Sequence, residues 1–186
     1  MRFLFLLLLS FSVYADNSIN IEQIGSNNQY TISQENDGKY VNISLGGVAS
    51  SDNNTISVTQ QDTGSHSASI ELPNGINNSV TITQGGSGNQ TTSIQNFVGS
   101  SNSITVNQSG ASNNTFNVLG IGTNNANTIS ATQTGNLGAD KSFTLNMNGT
   151  NGASVTVQQT NPTQPNSGSM SIQCYSGCGN YSYIRN

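Results

Sequence analysis

Along most of this chain, apolar and polar residues alternate in short bursts that return at a nearly fixed distance. In Asn78-Ser79-Val80-Thr81-Ile82-Thr83-Gln84, Val80 and Ile82 point to one side and Ser79, Thr81 and Thr83 to the other. That is the period-two pattern of a half-buried β-strand, written with β-branched residues. Segments of the same form are Asn28–Gln34, Asn54–Gln60, Asn102–Gln108, Asn127–Gln133 and Gly152–Gln158, and their closing glutamines are separated by 26, 24, 24, 25 and 25 residues. Between them lies a second set: Tyr40–Leu45, Ala68–Leu72, Thr91–Gln95, Thr115–Leu119, Ser142–Met147 and Met170–Cys174. The likeness of KYVNISLGG (39–47) to KSFTLNMNG (141–149) marks this set as a repeat too. Its inward register stays open, because Thr92/Ile94 and Phe116/Val118 point to different alignments. Asn17–Gln23 reads as an extra strand in front, a half-repeat.

A fixed period in the twenties predicts a solenoid, in which each repeat buries its face only against its neighbours. The expected fold is therefore all-β: a β-solenoid of strand-turn-strand coils, about 24 residues per coil, about six coils after the half-coil, with amyloid-like stacking. Gly85-Gly86-Ser87-Gly88, Ser109-Gly110-Ala111-Ser112 and Gly46-Gly47 supply the corners, where positive φ and tight turns are needed. Stacking sets like residues above one another. We therefore expect amide ladders through Asn28, Asn54, Asn78, Asn102 and Asn127, and through Gln34, Gln60, Gln84, Gln108, Gln133 and Gln158. Such ladders satisfy polar groups that would be costly alone in a dry interior.

Composition explains why so little apolar material is on offer and narrows the function. Residues 1–15 join a positive start, the apolar run Phe3–Leu9 and small residues ending at Ala15, which reads as a secretory signal peptide cleaved before Asp16. The remainder, 16–173 as repeats and 174–186 as a Cys/Tyr tail, is expected outside the cell or on its surface, with no integral membrane segment after processing. Charged residues make up 6% of the chain, against about 25% in ordinary globular domains. Beyond Ala15 three cations, Lys39, Lys141 and Arg185, face eight acids, a net charge of −5. Three scattered cations cannot neutralise a phosphate track, so nucleic acid is not an expected partner. Cys174 and Cys178 lie close together, and in an exported chain a short-loop disulfide is the default.

Nothing in the sequence assembles a catalytic constellation, metal site or cofactor site. His66 reads as a solvated corner residue, and the acids are dispersed one per strand or loop. The open ends of the solenoid, with unpaired N–H and C=O groups, are the expected functional surface. The tail with Tyr175, Tyr181 and Tyr183 either caps one end or simply packs over the last coil.

Gln23-x-Gly25-x2-Asn28 leading to Gln34, and Gln84-x-Gly86-x2-Asn89 leading to Gln95, resemble the curlin repeat. That resemblance covers most of residues 17–173. It implies a subunit of curli, the extracellular bacterial amyloid of cell adhesion and biofilm. Its partners would be further copies of the chain meeting at open solenoid ends, a nucleator subunit and an export pore. Two other readings compete: a non-polymerising solenoid whose Ser57/Thr59, Thr81/Thr83, Thr105/Asn107 and Ser130/Thr132 bind ice or a surface glycan, and a phage or cell-surface appendage component.

Overall fold

In the computed structural model the chain is all-β, and the structure describes residues 16–45, 51–95, 98–121 and 123–186. The expected signal peptide (1–15) and the Gly46-Gly47 corner lie outside the described residues. Among the described residues fourteen strands follow in order: β1 (Ser18–Gln23), β2 (Gln29–Gln34), β3 (Lys39–Leu45), β4 (Thr55–Gln60), β5 (His66–Glu71), β6 (Ser79–Gln84), β7 (Gln90–Ile94), β8 (Ser103–Gly110), β9 (Asn114–Ile121), β10 (Thr128–Gly135), β11 (Lys141–Asn148), β12 (Ser154–Gln159), β13 (Asn166–Gln173) and β14 (Asn180–Arg185). Odd-numbered strands form one seven-stranded sheet and even-numbered strands another, each in chain order along the stack. All neighbours are parallel and in register, for example Ile56↔Val80 and Ile82↔Val106. The fold is a β-solenoid of about six turns and about 25 residues per turn. Seven strands at about 4.8 Å per step give a rod about 29 Å long.

The alternation places one apolar pair per strand between the sheets. Ile56 and Val58, Val80 and Ile82, and Ile104 and Val106 from the even sheet face Val41 and Ile43, Ala68 and Ile70, and Phe116 and Val118 from the odd sheet, all buried. Each Val, Ile or Phe among them contributes about 1.5–3 kcal/mol by leaving water, and Ala68 less. The register of the second strand set is single: Thr92 stacks on Phe116 and Ile94 on Val118. All four are buried, so the apparent conflict came from a column that mixes a hydroxyl with an aromatic. Farther along that column Phe116 and Phe143 stack with ring centroids 6.0 Å apart. Gly168 then leaves room for Tyr183, whose ring lies 4.8 Å from that of Phe143.

Corners are set by a left-handed residue just ahead of each even strand from β2 to β12. Asn27, Asn53, Asn77, Ser101, Ala126 and Gly152 all have positive φ, between 51° and 77°. Gly152 thus fills the corner position, not the position of Asn28, Asn54 and Asn78. The frame of the sixth coil is therefore shifted by one residue from the sequence alignment.

Candidate assembly site

Two buried amide ladders run through the even sheet, and they donate in opposite directions. In the glutamine ladder, Gln34 Nε2 donates to Gln60 Oε1 at 2.9 Å, Gln60 to Gln84 at 2.8 Å, Gln84 to Gln108 at 3.1 Å and Gln108 to Gln133 at 2.8 Å. The next partner is Gln159, at 2.8 Å, and not Gln158. Gln158 pairs with Thr132 on the outer face, because the corner residue Gly152 moves every later residue of that coil one place. The second N–H of each amide crosses to the odd sheet: Gln60 to Tyr40 O, Gln84 to Ser67 O, Gln108 to Thr91 O and Gln133 to Thr115 O, at 2.9–3.1 Å. Thr92 Oγ1 adds a 2.7 Å bond to Gln108 Oε1. Each glutamine therefore ties rung to rung and sheet to sheet.

In the asparagine ladder the later coil donates to the earlier one. Asn54 N and Nδ2 reach Asn28 Oδ1, and Asn78, Asn102 and Asn127 repeat the pattern at 2.9–3.1 Å. Each Nδ2 also donates to the following corner: Asn28 to Ser51 O, Asn54 to Gly75 O, Asn78 to Gly99 O, Asn102 to Asn124 O and Asn127 to Thr150 O. The ladder stops at Ala153, whose N–H donates to Asn127 Oδ1 but which has no amide to pass on.

A third polar column, unread in the sequence, begins the odd strands: Lys39, His66, Gln90, Asn114, Lys141 and Asn166 in register. Gln90 Nε2 donates to Gly88 O and Ser112 O, the carbonyls two residues back in its own coil and the next. The two lysines do the same with an ammonium. Lys141 Nζ reaches Ala139 O at 2.8 Å and Gln164 O at 2.5 Å. Lys39 Nζ reaches Asp37 O, Asp62 O and Gly64 O at 3.0, 2.9 and 2.5 Å. Both lysines are 1% exposed, and burial pushes both ammoniums below the ordinary lysine range. His66, expected as a solvated corner residue, is likewise 1% exposed. Its Nε2 lies 2.8 Å from Gln61 O, while Nδ1 is buried without a partner. Burial first, with the nearby Lys39 charge adding to it, lowers its pKa. The signal that would have exposed this column is positional: each ladder glutamine is followed, after a short corner, by a polar residue opening the next strand.

The two ends of the rod differ. At the first coil Ile19 and Ile21 occupy core register opposite Val41 and Ile43, yet they are 51% and 42% exposed. Tyr30 Oη reaches Gln23 Oε1, and its burial raises the phenol pKa. At the other end the tail is part of the solenoid: β14 pairs with β12, placing Tyr181 over Val155 and Tyr183 over Val157. Tyr183 Oη donates to Ser167 O across the sheets at 3.2 Å. Cys174 and Cys178 are joined in a disulfide in the corner between β13 and β14. Among the described residues no three His, Cys, Asp or Glu side chains are grouped to hold a metal ion. No helix among them is long and apolar enough to cross a membrane.

Residues 75–110, the stretch from the corner before β6 into the end of β8, match the family model of the curlin associated repeat. No curated protein and no solved structure matches the chain. The matched stretch contains ladder residues Asn78, Gln84, Asn102 and Gln108, which the structure stacks in register with their counterparts along the rod. Within residues 75–110 the chain thus carries a curlin associated repeat.

Proposed function

We propose that this chain is a secreted structural subunit that stacks end to end into curli-like amyloid fibres for cell adhesion and biofilm matrix. The observation that carries this reading is the first coil, where core-register Ile19 and Ile21 are exposed and the outer edges of β1 and β2 have no strand partner among the described residues. Such an edge is a template for another strand. In-register side-chain ladders are what an amyloid stack repeats from copy to copy. The curlin associated repeat supports the extracellular setting, with a nucleator subunit and an export pore as the further partners it implies. The test is incubation of the purified protein with thioflavin T, followed by fibre diffraction. We expect a lag, fluorescence growth and a 4.7–4.8 Å meridional reflection. Protein that stays monomeric for days would overturn the reading.

The outer face of the even sheet favours a second reading. Its central column is hydroxyl throughout, Thr31, Ser57, Thr81, Thr105, Ser130, Thr156 and Ser182 in register, on a face without charge in β2 to β12. A flat hydroxyl lattice of this kind suits ordered water or a crystalline glycan. Thermal hysteresis by the monomer would support it, and unaltered ice growth together with no retention on insoluble glycan would remove it.

A further inference from the structure

We propose, on the reading that copies of this chain stack end to end, that Arg185 of one copy docks over Gln34 and Glu35 of the next, and that this contact fixes a head-to-tail junction. The glutamine ladder has a direction: from Gln34 to Gln159 every amide donates toward the C-terminal end. Gln34 Oε1 is therefore left as the ladder's acceptor at the N-terminal face. At the opposite face the rung above Gln159 is Arg185. A guanidinium has donors and no acceptor, so it cannot continue the ladder for Gln159, but it can donate to a carbonyl placed above it.

Register and charge agree with this. Gln133 to Gln159 and Gln159 to Arg185 are equivalent steps in the even sheet. One further equivalent step sets the next copy's Gln34 over Arg185 and its Glu35 over Asn186. In the odd sheet the same stacking lays Ile19 over Gly168 and Ile21 over Met170, returning both isoleucines to a core. Asp16, Glu22, Glu35 and Asp37 all lie in the first coil and the corner after it, whereas residues 142–186 contain no acid and a single cation, Arg185. Arg185 also lines a polar hollow of about 280 Å³ with Asn161, Gln164, Asn166 and Asn186, open to an incoming side chain. Joining two N-terminal faces would instead oppose two Gln34 carbonyls and crowd the acids of both copies together.

Residues 35 and 185 stand at opposite ends of a rod about 29 Å long, too far apart to couple within one molecule. Any coupling between them must therefore arise across a junction. The experiment measures seeded thioflavin T elongation for wild type, Glu35→Arg, Arg185→Glu and the double variant, with circular dichroism of each monomer as a folding control. Each single variant is expected to elongate roughly tenfold more slowly, and the double variant to recover to within about threefold of wild type. Glu71→Arg, on the side of the rod, is expected not to rescue Arg185→Glu. Wild-type fibres with additive single effects, or rescue by Glu71→Arg, would overturn the junction and leave end-to-end stacking standing. A wild-type protein that forms no fibres would overturn both.

Discussion

At the residue scale, the interior of this protein is held by amides as much as by hydrocarbon. Gln84 makes bonds to Gln60, Gln108, Ser67 O and Gln90 O, so replacing it strands several buried partners at once. Gln84→Leu is expected to cost about 2–4 kcal/mol, since each orphaned group forfeits about 1–3 kcal/mol; urea denaturation of the monomer would measure it. At the corners, Ala126 has φ 51°, a conformation that costs an alanine about 1–2 kcal/mol and an asparagine less. Ala126→Asn should accordingly raise stability by up to about 1 kcal/mol in the same assay.

His66 gives a pH dependence whose sign follows from its surroundings. The groups that bear on it are the Lys39 ammonium in the coil before, Asp62 at the corner, the carbonyl of Gln61 and Gln90 in the coil after. Because the folded protein lowers its pKa, the unfolded chain binds the proton first, and stability falls as pH drops below the ordinary histidine value of about 6.5. Thermal melts between pH 7.5 and 5 should show this loss, and His66→Gln, which restores the amide used at Gln90, should flatten the profile. A wild-type melt that is level across that range would refute the assignment.

At the element scale, each strand is short and the corners do the precise work. Gly86 has φ 92°, and a Cβ there would run into the backbone of Gly110 in the next coil. Gly86→Ala should cost more than about 1 kcal/mol, beyond what the lost chain entropy returns. Hydrogen exchange would place the loss at the corner between β6 and β7. The strands themselves were legible because period-two alternation is dictated by the pleat, and Val80 and Ile82 show it plainly. Thr92 was harder to place, because a hydroxyl that bonds Gln108 stands in the same column as Phe116. Gln159 was missed for a conformational reason: Gly152 was aligned with the ladder asparagines, whereas its positive φ makes it the corner residue before them. Lys39 and Lys141 escaped notice because a lysine is expected in water. Nothing in their local sequence announces that corner carbonyls will surround the ammonium.

At the scale of the whole molecule, the two ends set the behaviour. The C-terminal half-coil rests on Tyr183 against Phe143 and on the Cys174–Cys178 bond. Closing so short a loop contributes about 2 kcal/mol by chain entropy. Reduction should therefore fray β14 alone, seen as faster amide exchange over 180–185, while β4 to β10 keep their protection. Uniform loss of protection along the rod would show instead that the stack melts as one unit.

The opposite donor directions of the two ladders have an electrical consequence. Each ladder is a line of amide dipoles aligned with the rod axis, and a single such line would leave partial charges of opposite sign at its two ends. Here the glutamine line and the asparagine line oppose one another, and the β-sheets add little of their own. The two ladders thus offset one another's dipole at any length, and the field at each end is left to the ionised groups there, acids at the first coil and Arg185 at the last.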